Sequence, residues 1–339
     1  MGRRLRIATY NVEWFNALFD DRGRLLADSE LSGRYEITRR NQIESLGIVF
    51  TALDADAIMV IEAPNHGRRR STVKALETFA RTFELRASQA IMGFANETDQ
   101  EIALLFDPSR IEARHDPQAG PKAPRFDGIF RFDIDVDAAP EAIRFSKPPL
   151  ELAVRADGHA LRMIGVHAKS KAGRGARNGA EEVRIAIQNR RQQLAECVWI
   201  RRRVAALLAR HQSVMVMGDF NDGPGLDEYE KLFGHSGVEI VLGLDEPPEL
   251  RLHEPHARMA LTQRVGVQPS SARFWLAPED QYFEALLDFI MISPDLAEKG
   301  PRWRIWHPLN DPNCFRIPEL QEALLAASDH FPVTLDIEL

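Results

Sequence analysis

An apolar run that ends abruptly on charged residues constrains a fold strongly, and this chain has several. The clearest is Val214-Met215-Val216-Met217-Gly218-Asp219-Phe220-Asn221-Asp222. Its valines and unbroken apolar character read as a buried strand. The strand stops at Gly218 and delivers Asp219 and Asn221 to its carboxyl end, two residues apart and facing one way. A carboxylate and a carboxamide there suit a hard cation or a water that needs orienting. Taken alone, the same residues are equally an Asx-rich turn, because Asp222-Gly223-Pro224-Gly225 breaks the chain into a loop.

The pattern recurs along the chain. Leu5 to Tyr10 is β-prone and ends at Asn11-Val12-Glu13, where Asn11 and Glu13 share a face or form a turn with an exposed glutamate. Ala57 to Ile61 is closed by Glu62 and then Pro64; a carboxylate at the end of a buried strand is costly unless paired, hydrogen-bonded or metal-bound. Leu161 to Val166 runs into His167-Ala168-Lys169-Ser170-Lys171, followed by Gly173, Arg174 and Gly175. This is the most basic concave candidate, a phosphate-binding loop or else a solvated surface. Asp288 lies in the apolar run Leu286 to Ser293 and needs a partner. Ser328-Asp329-His330 supplies one, since an aspartate orients a histidine that exchanges protons near neutral pH.

Between these stretches, helices are expected over Ile37 to Leu53, from a Ser71 cap through Ala80, and from Ala180 to Arg210. Further strands are expected near 85–91, 101–106, 129–136 and 149–155. The long helix between two buried strands makes a strand–helix–strand passage typical of layered α/β folds. Residues 234–284 are less regular. His235, His253 and His256 lack the tight spacing of a metal pair, and this region reads as surface or substrate-facing loop. Arg68-Arg69-Arg70 and Arg201-Arg202-Arg203 read as solvated.

Composition sets the outer limits. A chain of 339 residues is ample for a sizeable core. Its 43 Lys+Arg against 50 Asp+Glu leave a net charge of -7, which argues against a generally basic nucleic-acid coat while allowing local patches. Cys197 and Cys314 are isolated and build neither a zinc site nor a disulfide framework. No secretory h-region follows Met1-Gly2-Arg3-Arg4, and no run is long and apolar enough to cross a bilayer. The expected compartment is the cytoplasm.

Six short motifs together resemble the endonuclease/exonuclease/phosphatase superfamily: Thr9-Tyr10-Asn11-Val12-Glu13, Ile61-Glu62, Val166-His167, Gly218-Asp219-Phe220-Asn221, Leu287-Asp288 and Ser328-Asp329-His330. That group contains deoxyribonucleases, abasic-site endonucleases, sphingomyelinases and inositol polyphosphate 5-phosphatases. The resemblance implies one catalytic domain over 1–339, with insertions near 16–36 and 234–284. Its fold is a four-layered α/β/β/α sandwich of two mostly antiparallel sheets flanked by helices. It implies Glu62 as principal ligand of Mg²⁺ or Mn²⁺, with Asn11, Glu13 and Asp329 near the metal. Asp219 resembles the residue that orients or deprotonates water, and Asn221 the one that binds the scissile phosphate. His330 resembles the catalytic histidine held by Asp288, and His167 a second phosphate contact. Lys169, Lys171 and Arg174 join the substrate side, and Glu101 is a possible partner for His167. Where many members place Gln before the metal-binding Glu, this chain has Ile61. The implied activity is a metal-dependent phosphoesterase acting on nucleic acid, with a small phosphorylated metabolite or phospholipid headgroup as the alternative substrate. A non-catalytic binding member of the fold is the remaining alternative. No protein partner is implied.

Overall fold

The apolar runs become strands buried on both faces, which is why they lack the alternation of a half-exposed sheet. The computed structural model describes residues 4–133, 140–172, 177–225, 234–262, 268–276 and 280–339. In chain order the first strands are β1 (Leu5–Asn11), β2 (Ala57–Ala63), β3 (Gln89–Met92), β4 (Glu101–Phe106) and β5 (Ile111–His115). Next come β6 (Phe130–Phe132), β7 (Glu141–Ile143), β8 (Leu150–Ala156), β9 (His159–His167) and β10 (Ser213–Asp219). The last are β11 (Ala272–Leu276), β12 (Gln281–Ala285), β13 (Asp288–Ile292), β14 (Arg302–Ile305) and β15 (Val333–Ile337).

Several helices start where hydrogen-bonding side chains cap them. Thr38 accepts from Asn41 N at the head of α1 (Arg39–Leu53), and Ser71 from Lys74 N at the head of α2 (Thr72–Thr82). Asn178 caps α3 (Gly179–Leu208), whose first turn carries Glu181 and Glu182 against the positive end of the helix dipole. Ser236 and Glu239 form a capping box on α4 (Gly237–Leu242). Then follow α5 (Pro255–Thr262), α6 (Pro294–Ala297), α7 (Pro312–Phe315) and α8 (Pro318–Ala327).

Two large sheets result, one ordered β14-β15-β1-β2-β4-β3 and the other β13-β10-β9-β8-β5. Within them β1 runs parallel to β2 and β9 to β10, and the remaining neighbours are antiparallel. Three apolar cores show how they stack. Ile7, Met59 and Leu104 of the first sheet meet Leu152, Met215 and Ile290 of the second in a central core between the sheets. The alternate residues Ala8, Tyr10, Ile58 and Val60 pack outward on α1, α2 and α8. On the far side Val214, Val216, Phe289 and Met291 pack on α3, α4 and α5. Helices, sheet, sheet and helices form the four expected layers.

The differences from expectation include an interior strand, β15, as well as short and edge elements, and Arg201 and Arg203, read as solvated, are buried. β5, β7, β14, β15, the β11–β12 hairpin and α6, α7 and α8 were not anticipated. β5 reads Ile-Glu-Ala-Arg-His, the half-exposed pattern of an edge strand, and it closes one edge of its sheet. The strand expected over 129–136 is described only as Phe130–Phe132, its end lying outside the described residues. The loop region 234–284 contains α4, α5 and a hairpin. Among the described residues no helix is long and apolar enough to cross a membrane.

Candidate functional site

Strand pairing gathers the singled-out residues. In a parallel pair the carboxyl ends adjoin, and in an antiparallel pair one strand's end meets its neighbour's start. Asp219 at the end of β10 is thus level with His167 at the end of β9 and with Asp288 at the start of β13. In the other sheet Asn11 at the end of β1 is level with Ile61, next to Glu62, while β15, entered from His330, pairs with β1 through Val333 and Thr9. Both sheets therefore present their polar strand ends to one edge.

Several backbone devices aim these side chains. Glu62 has a positive φ of 60° at the point where the β2–β4 register shifts, a bulge that redirects its carboxylate. Asn221 also has a positive φ, 49°. Gly218 adopts φ +137°, and a Cβ there would lie 2.0 Å from the Val166 carbonyl oxygen of β9. Only glycine fits. Ser328 ties the two ends of the first sheet together: its hydroxyl donates to Asn11 O at 2.8 Å and accepts from Glu13 N and His330 N, each at 3.2 Å.

The best-organised unit is His330 with Asp288. His330 Nδ1 donates to Asp288 Oδ2 at 2.8 Å, and Ser271 Oγ donates to the same oxygen at 2.8 Å. The other ring nitrogen, Nε2, stands 4.0 Å from Asp219 Oδ2. Burial disfavours the charged imidazolium, but Asp288 and Asp219 outweigh it and hold the His330 pKa well above the usual value. Asp219 accepts from Asn221 N at 2.7 Å and from Asn11 Nδ2 at 2.9 Å. Burial pushes its carboxyl up to about 6, with His330 opposing. The Asn221 amide donates to Ala168 O at 3.0 Å.

A second group faces the first. His167 Nε2 lies 3.7 Å from Asp219 Oδ2 and 3.8 Å from Glu62 Oε1. Lys147 Nζ donates to that same Nε2 at 2.9 Å. Burial, with Lys147 and His330 beside it, holds His167 well below the ordinary histidine range, so its ring is neutral. Burial also lowers Lys147 and pushes Glu62 up to about 7, each partly offset by the opposite charge of the other.

Other expected residues are engaged differently. Glu13 is bound by Arg34 and by Trp14 Nε1 at 2.8 Å, so its carboxylate already has a cation. Lys171 pairs with buried Asp222, which also accepts from Gly237 N at 2.6 Å and so anchors the start of α4. Glu101 is not the partner of His167: it accepts from His66 N and from Asn96 Nδ2. A bulge-side position gives it loop backbone to satisfy instead. Lys169 lies close enough to Lys147 to depress that lysine's pKa. Arg174 lies outside the described residues.

A sequence profile described as the Endonuclease/Exonuclease/phosphatase family matches residues 8–330. The chain belongs to this family. No curated protein matches it. Among solved structures, truncated Caenorhabditis elegans TDP2 is similar with a TM-score of 0.52 and 11% identity, covering 99% of this chain and 98% of that one. An endonuclease/exonuclease/phosphatase family protein from Bacteroides thetaiotaomicron gives 0.52 and 13%, with 100% of both chains covered. An AP endonuclease from Archaeoglobus fulgidus gives 0.51 and 13%, covering 99% and 100%. At these identities the likeness establishes the fold.

Members of the endonuclease/exonuclease/phosphatase family are metal-dependent phosphoesterases, and the residues present fit a hard divalent cation. Asn11 Oδ1 and Asp329 Oδ1 are buried and accept no hydrogen bond. The Asn11 amide is oriented by its donation to Asp219, which leaves the oxygen outward for another ligand. Glu62 is buried enough to lose its charge near neutral pH unless a cation joins it. Asp219, Asp288 and His330 also bring ligand-type atoms within 4.8 Å of one another. There, however, His330 Nδ1 and Asp288 Oδ2 are hydrogen-bonded to each other, which makes that trio the weaker candidate for a hard cation, which favours oxygen donors. Ser271, Lys147 and Ser328 had no role in the sequence reading. Only Ser328, inside Ser328-Asp329-His330, carried a signal; Ser271 and Lys147 reach the site by tertiary contact.

Proposed function

We propose that this chain is a divalent-metal-dependent phosphodiesterase that hydrolyses nucleic acid with water. The observation that carries the reading is the buried Asp288–His330 pair whose free nitrogen faces Asp219 at 4.0 Å. A carboxyl near neutral pH beside an imidazolium is the pairing that proton transfer and charge stabilisation require. Asp219 takes the proton of the attacking water, and Asn11 and Asn221 hold its carboxylate in place. His330, held charged by Asp288, offers Nε2–H to a phosphoryl oxygen. Lys147 and Lys169 supply positive charge on the His167 side. A cation, held by Glu62, Asn11 Oδ1 and Asp329, would polarise the phosphoryl oxygen. Two buried unpaired thiols, Cys197 and Cys314, suit the reducing cytoplasm. The whole chain is read as one catalytic unit.

A small phosphoester is the second reading, favoured by Lys171 being neutralised by Asp222 and by the net charge of -7. The test is hydrolysis of plasmid, single-stranded DNA, RNA and bis-p-nitrophenyl phosphate side by side. EDTA abolishes activity on the preferred substrate, and Mg²⁺ or Mn²⁺ restores it. Glu62→Gln raises the Mg²⁺ concentration needed for half-maximal rate. His330→Ala lowers kcat by roughly 10²–10⁴-fold with little change in substrate binding. Activity indifferent to EDTA refutes the reading, and hydrolysis confined to bis-p-nitrophenyl phosphate moves it to small phosphoesters.

A further inference from the structure

Three aromatic side chains stand exposed on one small element. Trp275, Tyr282 and Phe283 of the β11–β12 hairpin are 51, 53 and 52% exposed. Large apolar side chains grouped in solvent mark a contact surface. The hairpin belongs to neither large sheet, yet its root is fastened to the site. Ala272 bridges to His330, Arg273 N donates to Asp329 O at 2.8 Å, and Phe331 N donates to Ser271 O at 2.6 Å.

Pleating sorts the rings by face. Phe274 and Phe283 are cross-strand partners on one face, and Trp275 and Tyr282 on the other. On the second face the rings occupy each other: Trp275 meets Tyr282 edge-on at 4.9 Å, and the Arg273 guanidinium lies 3.5 Å over Tyr282. On the first face the Phe274 ring centre lies 5.5 Å from that of His330. That face begins at the candidate reaction centre and continues outward through Phe283.

An exposed aromatic hairpin suits either nucleotide bases or a lipid surface. A lipid-inserting hairpin concentrates its apolar side chains at the tip. Here the sequence that joins the two strands, Ala277-Pro278-Glu279-Asp280, carries two acids, which oppose an anionic membrane. The rings lie on the strands instead, with Phe274 beside His330. We propose that the Phe274–Phe283 face is a stacking wall for the base beside the scissile phosphate, so that the preferred substrate is a nucleic-acid strand with unpaired bases. This inference rests on the nuclease reading above. A paired base must leave its stack to reach such a wall, whereas a single strand offers its π-face directly.

The test compares wild type, Phe283→Ala and Phe283→Tyr on three substrates: a single-stranded deoxyoligonucleotide, the same strand in duplex, and a strand of equal length built from abasic tetrahydrofuran units. Wild type favours the base-bearing single strand over both others. Phe283→Ala lowers kcat/KM on that strand by roughly 5–150-fold, the span of one lost base stack, and leaves the abasic strand unaffected. Phe283→Tyr retains the preference. Equal losses on base-bearing and abasic strands, or a duplex cut as fast as the single strand, overturn the wall. So does loss of binding to phosphatidylserine-containing vesicles in Phe283→Ala with oligonucleotide cleavage intact, which assigns the hairpin to a lipid surface. Wild type that hydrolyses bis-p-nitrophenyl phosphate but no oligonucleotide defeats the nuclease reading, and the wall with it.

Discussion

Glu62, Asn221 and Trp14 each hold a left-handed backbone at the polar edge of the sheets, a conformation that costs of order 1–3 kcal/mol at a non-glycine residue. Such strain persists where the surroundings over-determine it, and Glu62 adds a half-buried carboxyl to the cost. The polar residues of this edge were legible because each ends an apolar run: a charged group in that place has to be explained. Their partners were not legible. Nothing in Lys147, Ser271 or Arg34 as residues announces contacts with His167, Asp288 or Glu13, because those contacts cross between distant elements. Glu196 belongs with them. It is buried on α3, accepts from Lys169 N at 2.9 Å, and burial pushes it up to about 7, with that hydrogen bond opposing. Its folded pKa exceeds its unfolded value near 4.5, so the native state holds the extra proton and stability falls as pH rises between those two values. Glu196→Gln does not titrate. Urea denaturation at pH 5 and pH 8 therefore shows the wild type losing roughly 3 kcal/mol more than the variant across that interval.

Burial made many strands and helices legible in the chain, but the largely buried β15 and the core-packed α8 were missed. β1, β2, β4, β9, β10 and β13 are apolar on both faces and stood out, as did α1, α2 and α3, whose caps Ser71 and Asn178 lie next to periodic runs. The β11–β12 hairpin did not, because its exposed aromatic strands follow a stretch rich in polar and turn residues that matched a loop. β10 depends on one residue for its closeness to β9. Gly218→Ala sets a methyl group against the Val166 carbonyl, in a backbone conformation L-residues avoid. The variant loses roughly 2–4 kcal/mol in chemical denaturation, at the upper end of single substitutions. The loss is accompanied by reduced kcat, since Asp219 is the next residue.

Over the whole molecule the net charge of -7 works against a polyanion, so binding depends on local cations that face the site. Lys169 and Lys171 separate under this argument. Lys169→Ala flattens the plot of log affinity against log salt for single-stranded DNA by about 0.7. Lys171→Ala leaves that slope in place and lowers the denaturation midpoint instead, because it withdraws a cation from buried Asp222. Equal slopes in wild type and Lys169→Ala show that Lys169 does not meet the strand.

In the six-stranded sheet, β15 lies between β14 and β1, so a strand from residues 333–337 holds one from residues 5–11 in place. Ser328, Asp329 and His330 immediately precede it. During translation, β1 can pair with β2 early but must wait for residues 333–337 to leave the ribosome before β15 covers its other side. A polypeptide released before residue 328 lacks both β15 and the Ser328, Asp329 and His330 of the site. Interrupted synthesis therefore yields fragments in which the polar edge of the sheets is incomplete.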